Sequence, residues 1–148
     1  MIGKTKEERV VEILLVEDNP GDARLAKEAL RESSIKNNLY MVDDGEKALD
    51  FLYKRGNFKS APHPDLVLLD LNLPRISGHQ ILAIIKAEDT LRKIPVVVLT
   101  MSSSQKDIEE SYNLNANCYV TKPLDLNEFI EVFERIQNFW LRTVKLPA

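Results

Sequence analysis

The stretch Leu66-Val67-Leu68-Leu69-Asp70-Leu71-Asn72-Leu73-Pro74 opens with four large apolar residues, turns polar at Asp70 and soon meets a proline. A run this short and this uniformly apolar reads as a strand covered on both faces, because a strand with one wet face would alternate. Val96-Val97-Val98-Leu99, closed by Thr100, repeats the pattern. Two such strands belong in the middle of a sheet with helices on both sides, which is the parallel, doubly wound α/β arrangement.

Outward from this centre, short apolar runs keep alternating with segments of helical spacing. Ile13-Leu14-Leu15-Val16 stops at Glu17-Asp18-Asn19-Pro20, where Asn19 can cap a helix that has Pro20 at its first position. Leu25, Ala29 and Leu30 mark its inward stripe. Leu39-Tyr40-Met41-Val42 ends at Asp43-Asp44-Gly45, a turn and a cap, before a helix carrying Ala48, Leu49 and Leu52. Ile81, Leu82 and Ile85 place a helix between the two central strands, and Ile108 with Tyr112 places another behind Ser102-Ser103-Ser104. Cys118-Tyr119-Val120 is the fifth run. Asp125 and Glu128, spaced as a capping box, then open a helix with Leu126, Phe129, Ile130, Phe133, Ile136 and Trp140 at helical intervals. The expectation is five strands and five helices.

A chain of 148 residues has the length of one domain. Lys and Arg total 20 against 23 Asp and Glu, so no positive field invites nucleic acid. No apolar run approaches the ~20 residues that span a bilayer. The single Cys118 has no disulfide partner and is expected to be a reduced, buried thiol. These features fit a cytoplasmic protein. His63, between two prolines, reads as loop, and His79 as the exposed start of a helix, with no partner for catalysis.

Glu17-Asp18, Asp70, Thr100 and Lys122 each lie at or just beyond the end of an apolar run. Singly they have bland explanations: acidic residues favour a helix start, Thr is common in strands, and a lysine before a proline sits well in a solvated loop. In an open parallel sheet, however, the carboxyl ends of the strands share one edge, where ligands bind. Three carboxylates gathered there disfavour one another's charge unless a cation compensates. An all-oxygen donor set without His or Cys suits Mg2+ and not zinc. Mg2+ beside a Lys ammonium and a Thr hydroxyl is equipment for phosphoryl transfer, with Asp70 as a possible covalent acceptor. A cis bond at Lys122-Pro123 would be one way to aim the lysine inward.

Val16-Glu17-Asp18-Asn19, Leu69-Asp70-Leu71-Asn72-Leu73-Pro74, Gly78, Val98-Leu99-Thr100 and Thr121-Lys122-Pro123 resemble, in order and spacing, the CheY-like receiver domain of two-component response regulators. The resemblance covers residues 10–141, leaving a charged arm at 1–9 and a tail at 142–148. It implies a flavodoxin-like (βα)5 fold with strand order 2-1-3-4-5. It also implies that Asp70 accepts a phosphoryl group from a sensor histidine kinase, and that Mg2+ is held by Asp18, Asp70 and the Asn72 backbone carbonyl, with Glu17 helping through water. Thr100 and Lys122 would bind phosphoryl oxygens, and Tyr119 matches the aromatic switch position. Such a chain is a signalling phosphoacceptor and not an enzyme, and its output is a shift between two surface states toward an unknown downstream protein.

Asn117-Cys118-Tyr119-Val120-Thr121-Lys122-Pro123 and the ending Phe139-Trp140-Leu141 look more narrowly like the small stand-alone regulators associated with bacterial phytochromes. That resemblance implies a phytochrome-type kinase and a homodimer through the C-terminal helix, with Phe139 or Trp140 in the interface. Met101 departs from the usual small residue after the switch threonine and is expected to shield an acyl phosphate. Three other functions are weaker. A haloacid-dehalogenase-type phosphatase wants a second Asp where Asn72 stands, and a flavodoxin-like cofactor binder would not place Glu17 and Asp18 against a phosphate. The third is a receiver-like interaction module that acts without phosphorylation.

Overall fold

The apolar runs form β1 (Val11–Val16), β2 (Asn37–Val42), β3 (Leu66–Leu69), β4 (Val96–Thr100) and β5 (Cys118–Thr121) in the computed structural model, which describes residues 10–147. They make one parallel sheet in the order β2-β1-β3-β4-β5, the order expected. The helices are α1 (Pro20–Arg31), α2 (Gly45–Leu52), α3 (Gly78–Ala87), α4 (Gln105–Asn113) and α5 (Leu126–Ile136). The expected arm at 1–9 lies outside the described residues, as does residue 148.

Because successive strand residues point to opposite faces, the sheet divides its core in two. Leu14, Val16, Val67, Leu69, Val96 and Val98 face α2 and α3, where Phe51, Ile81, Leu82 and Ile85 cover them. Ile13, Leu15, Leu66, Leu68, Val97 and Leu99 face α1 and α5, covered by Ala26, Leu30, Phe129, Phe133 and Ile136. All four residues of β3 and all five of β4 are buried. Uniform apolarity in the sequence thus corresponds to burial on both faces.

Helix starts follow side-chain chemistry. The Asn19 side chain accepts from the Asp22 N–H at 3.0 Å with Pro20 at the first helical position, and Asp44 caps α2 through the Lys47 N–H at 2.7 Å. Asp125 accepts from the Glu128 N–H but forms no reciprocal capping box; the complete box belongs to Ser77 and Gln80 at α3. Beyond Ile136 the chain continues as a π-helical stretch over Gln137–Thr143, which buries Trp140 and Leu141. Val144 and Leu146 pack on the same core cluster.

Three expectations from periodicity are corrected. On α4 it is Ser111 that is buried, whereas Tyr112 is 49% exposed, because α4 meets α3 through polar groups. Leu126 and Ile130 on α5 also face outward, at 54% and 37% exposure. Cys118 is half-buried; burial pushes its thiol up. Among the described residues no helix is long and apolar enough to cross a membrane.

Candidate functional site

The strand ends bring the predicted residues together. Glu17 follows β1, its N–H bonded to the Val42 carbonyl at 3.0 Å, and Asp70 follows β3, its N–H bonded to the Val16 carbonyl at 3.0 Å. Thr100 ends β4 fully buried, and the Lys122 N–H donates to its carbonyl at 2.6 Å just past β5. The close seating of α3 under this edge depends on Gly78. Its N–H donates to the Leu71 carbonyl at 3.0 Å, and a Cβ there would sit 2.3 Å from the Asp70 carbonyl oxygen.

Lys122 is the hub. Its ammonium donates to Glu17 Oε1, to Asp70 Oδ2 at 3.0 Å and to Asp22 Oδ2 at 3.0 Å, so all three N–H groups meet carboxylates. The side chain is 3% exposed. It points inward although no peptide bond among the described residues is cis, so the bond before Pro123 is trans and the suggested cis geometry is not what aims it.

Electrostatics divide the two buried carboxyls. Desolvation raises Glu17 to about 7, against the favourable Lys122 hydrogen bond, while nearby Asp70 adds to the rise. Asp70 is also desolvated, but hydrogen bonds from Glu17, Lys122 and the Asn72 N–H, together with the Lys122 charge, hold it below the usual carboxylate range. Burial works against the Lys122 cation; the Glu17 hydrogen bond and the surrounding carboxylates outweigh it and raise the ammonium well above the ordinary lysine value. The result is an ionised Asp70 beside a permanently charged lysine.

Glu17, the exposed Asp18 and Asp70 each offer a carboxylate oxygen within 4.8 Å of the others. A hard, all-oxygen set of this kind fits Mg2+ or Mn2+. Asn72 lies at the rim, its N–H 3.3 Å from Asp70 Oδ1. Tyr119 is half-buried and donates its hydroxyl to the Ser102 carbonyl at 2.7 Å, tying β5 to the loop after Thr100. Met101, in that loop, is 54% exposed.

Two polar contacts lie outside the expected set, one within the site and one away from it. Asp22 reaches Lys122 from the first turn of α1; its place in the first turn of the helix that starts directly after Glu17-Asp18-Asn19 was the available signal. His79 stands at the start of α3 as expected, but it is largely buried against α4, where its Nε2 is 2.9 Å from Ser111 Oγ and its Nδ1 is 3.5 Å from Glu110 Oε2. His63 lies in a loop as expected, and Asp43 pairs with Lys47 at 2.7 Å on the surface.

Comparison with known proteins gives a consistent picture. Residues 13–134 match the family described as response regulator receiver domain. Response regulator Rcp1 of Synechocystis sp. is 46% identical over 92% of both chains. The Mn2+-bound form of Rcp1 superposes with a TM-score of 0.91, covering 93% of this chain and 99% of that one. The phosphorylated cyanobacterial phytochrome response regulator RcpA is 44% identical, with a TM-score of 0.92 over 95% of this chain and 100% of that one.

Proposed function

Since the chain belongs to the response regulator receiver domain family, we propose that it is a phosphoacceptor of two-component signalling in which Asp70 takes a phosphoryl group from a sensor histidine kinase. The observation that carries this reading is the Lys122 ammonium, buried between Glu17 and Asp70 at the ends of three different strands. A structural lysine has no need of such a place, since isolating its charge from water is costly without carboxylate partners.

The ionised Asp70 is the nucleophile. One of its carboxylate oxygens attacks the phosphorus, the P–N bond of the donor phosphohistidine breaks, and the imidazole departs with the electron pair and takes up a proton. Lys122, already 3.0 Å from Asp70, turns its N–H groups to the phosphoryl oxygens and offsets their charge. Thr100, on the neighbouring strand, supplies a hydroxyl to another oxygen. Glu17, Asp18, Asp70 and the Asn72 carbonyl would hold Mg2+, which when bound neutralises charge on the transferring group. The chain turns over no separate substrate; it takes part in its own phosphorylation and dephosphorylation.

Movement of Thr100 toward the phosphoryl group would disturb the following loop and with it the Tyr119–Ser102 hydrogen bond, so that the surface formed by α4, β5 and α5 is the output. The likeness to the cyanobacterial phytochrome response regulator RcpA points to a phytochrome-type kinase for this chain. The receiver unit is taken as residues 10–141, with a homodimer formed through the C-terminal helix, where Phe139 is 53% exposed.

The test is incubation with Mg2+ and acetyl phosphate, read by intact mass. Wild type should gain one phosphoryl group, while Asp70→Asn and chelator-treated wild type gain none. A gain retained in Asp70→Asn would remove the assignment, and no gain in wild type that binds Mg2+ would favour an interaction module independent of phosphorylation.

A further inference from the structure

Away from the strand-end pocket, α3 and α4 meet through a polar cluster that the proposed phosphorylation does not use. His79, Asp107 and Glu110 each present a ligand atom within 4.8 Å of the others, one from α3 and two from successive turns of α4. The His79 side chain is 16% exposed, and Ser111, beneath it, is fully buried.

The hydrogen-bond directions show what the cluster lacks. Ser111 Oγ donates its only hydrogen to the Asp107 carbonyl at 2.8 Å, so toward His79 Nε2, 2.9 Å away, it acts as acceptor. In the neutral ring the proton is thereby assigned to Nε2, and Nδ1 presents a lone pair to the Glu110 carboxylate 3.5 Å away. Two acceptors facing each other are reconciled by a cation between them, either a proton on Nδ1 or a metal ion. Asp107, which accepts from Ser102 Oγ, retains further lone pairs for the same cation.

We propose that His79, Asp107 and Glu110 form a second divalent-metal site, selective for a borderline ion such as Zn2+ over Mg2+. One imidazole nitrogen with two carboxylate oxygens and a solvent position is a zinc-type donor set, whereas the strand-end pocket offers oxygen alone. Ligand atoms on a tetrahedral zinc lie ~3.3 Å apart for bonds of ~2.0–2.1 Å, so side-chain rotations without backbone movement close the site. Ser111 is the positioning residue: its hydroxyl fixes the tautomer and the ring orientation, as partners of metal-bound histidines do. Because Asp107 also holds Ser102, whose carbonyl receives the Tyr119 hydroxyl, an ion there would act on the loop next to the proposed switch.

The test is calorimetric titration of the untagged, full-length Asp70→Asn chain with Zn2+ in saturating Mg2+, which keeps the acidic pocket out of the measurement and makes the result independent of phosphorylation. One Zn2+ should bind. His79→Gln should abolish binding, His79→Cys should restore it by supplying a thiolate, and Ser111→Ala should weaken it by about tenfold. Circular dichroism checks that each variant is folded. Absence of Zn2+ binding in the His79-containing chain, or equal binding in folded His79→Gln, would overturn the site and leave a protonated His79–Glu110 ion pair as the explanation of the contact.

Discussion

The Lys122 ammonium lies 3.0 Å from the Asp70 carboxylate, across 52 residues of sequence and two strands of the sheet. Each group is buried, and each is kept charged by the Glu17 hydrogen bond first and by the other's charge in addition. In the proposed phosphoacceptor role, an Asp70 carboxylate that stays ionised out of water and a cation already in place for incoming phosphoryl oxygens would both draw on this contact.

Removing the cation while keeping the shape should therefore separate chemistry from metal binding. Lys122→Met is expected to slow phosphorylation of Asp70 by about 100-fold or more, the scale of losing one preorganised charge at a transition state. Mg2+ should still bind. A time course by intact mass that matches wild type would contradict the role given to Lys122.

The approach of α3 to the end of β3 leaves no room for a side chain at Gly78. A methyl there meets the Asp70 carbonyl oxygen at 2.3 Å and Leu71 Cα at 2.6 Å, both backbone atoms. Gly78→Ala should cost about 1–3 kcal/mol, as overpacking does. Gly21→Ala, on an exposed helical turn where a Cβ would meet only the Asn19 side-chain oxygen at 3.2 Å, should cost less, because that side chain can give where the backbone at Gly78 cannot. Denaturant unfolding of the two variants compares them directly, and equal midpoints would show that the backbone yields.

Glu17 predicts a pH dependence. With its carboxyl near 7 in the metal-free protein, it is largely protonated at pH 6 and ionised at pH 8. Metal binding favours the ionised form, so Mg2+ affinity should rise by up to about tenfold over that interval and level off above it. The folded chain also keeps a proton that the unfolded chain releases between about 4.5 and 7, so this group makes stability fall as pH rises through that window. Glu17→Gln should flatten both profiles; Mg2+ titrations at the two pH values decide the matter.

The aromatic pair near the C-terminus divides its labour. Trp140 is 8% exposed and Phe139 is 53% exposed, with their rings edge to face at 5.3 Å. Trp140→Ala should destabilise the fold by about 3–5 kcal/mol. Phe139→Glu should leave the melting temperature nearly unchanged and shift the chain from dimer to monomer on size exclusion. A wild-type chain that elutes as a monomer would dismiss the interface.

Met101 follows the buried Thr100 and is itself half in solvent. A flexible side chain there can cover an acyl phosphate from attacking water. The phosphorylated Met101→Ala variant should lose its phosphoryl group faster than wild type, and identical decay rates would show that Met101 shields nothing.

Local rules were enough to read much of this molecule from its residues. Four apolar residues before Asp70 and four before Thr100, too short for a helix and bounded by turn residues, read as strands covered on both faces, and the layers and the parallel sheet follow. Asn19-Pro20 announced its helix because capping is a matter of neighbouring atoms. Polar residues at successive strand ends marked the edge where a site forms, since parallel strands place those ends together. What the tertiary structure decided are contacts between elements. Lys122 turns inward across a trans peptide because Glu17, Asp22 and Asp70 converge on it, and no spacing along the chain encodes a position shared by β1, α1 and β3. His79 became the partner of α4 for the same reason, and Tyr112 faces outward because Ser111 takes the contact that helical periodicity alone assigns equally well to either. Periodicity narrows which residues of an element can be buried; packing decides among them and fixes what each buried group touches, and the chemistry depends on that touch.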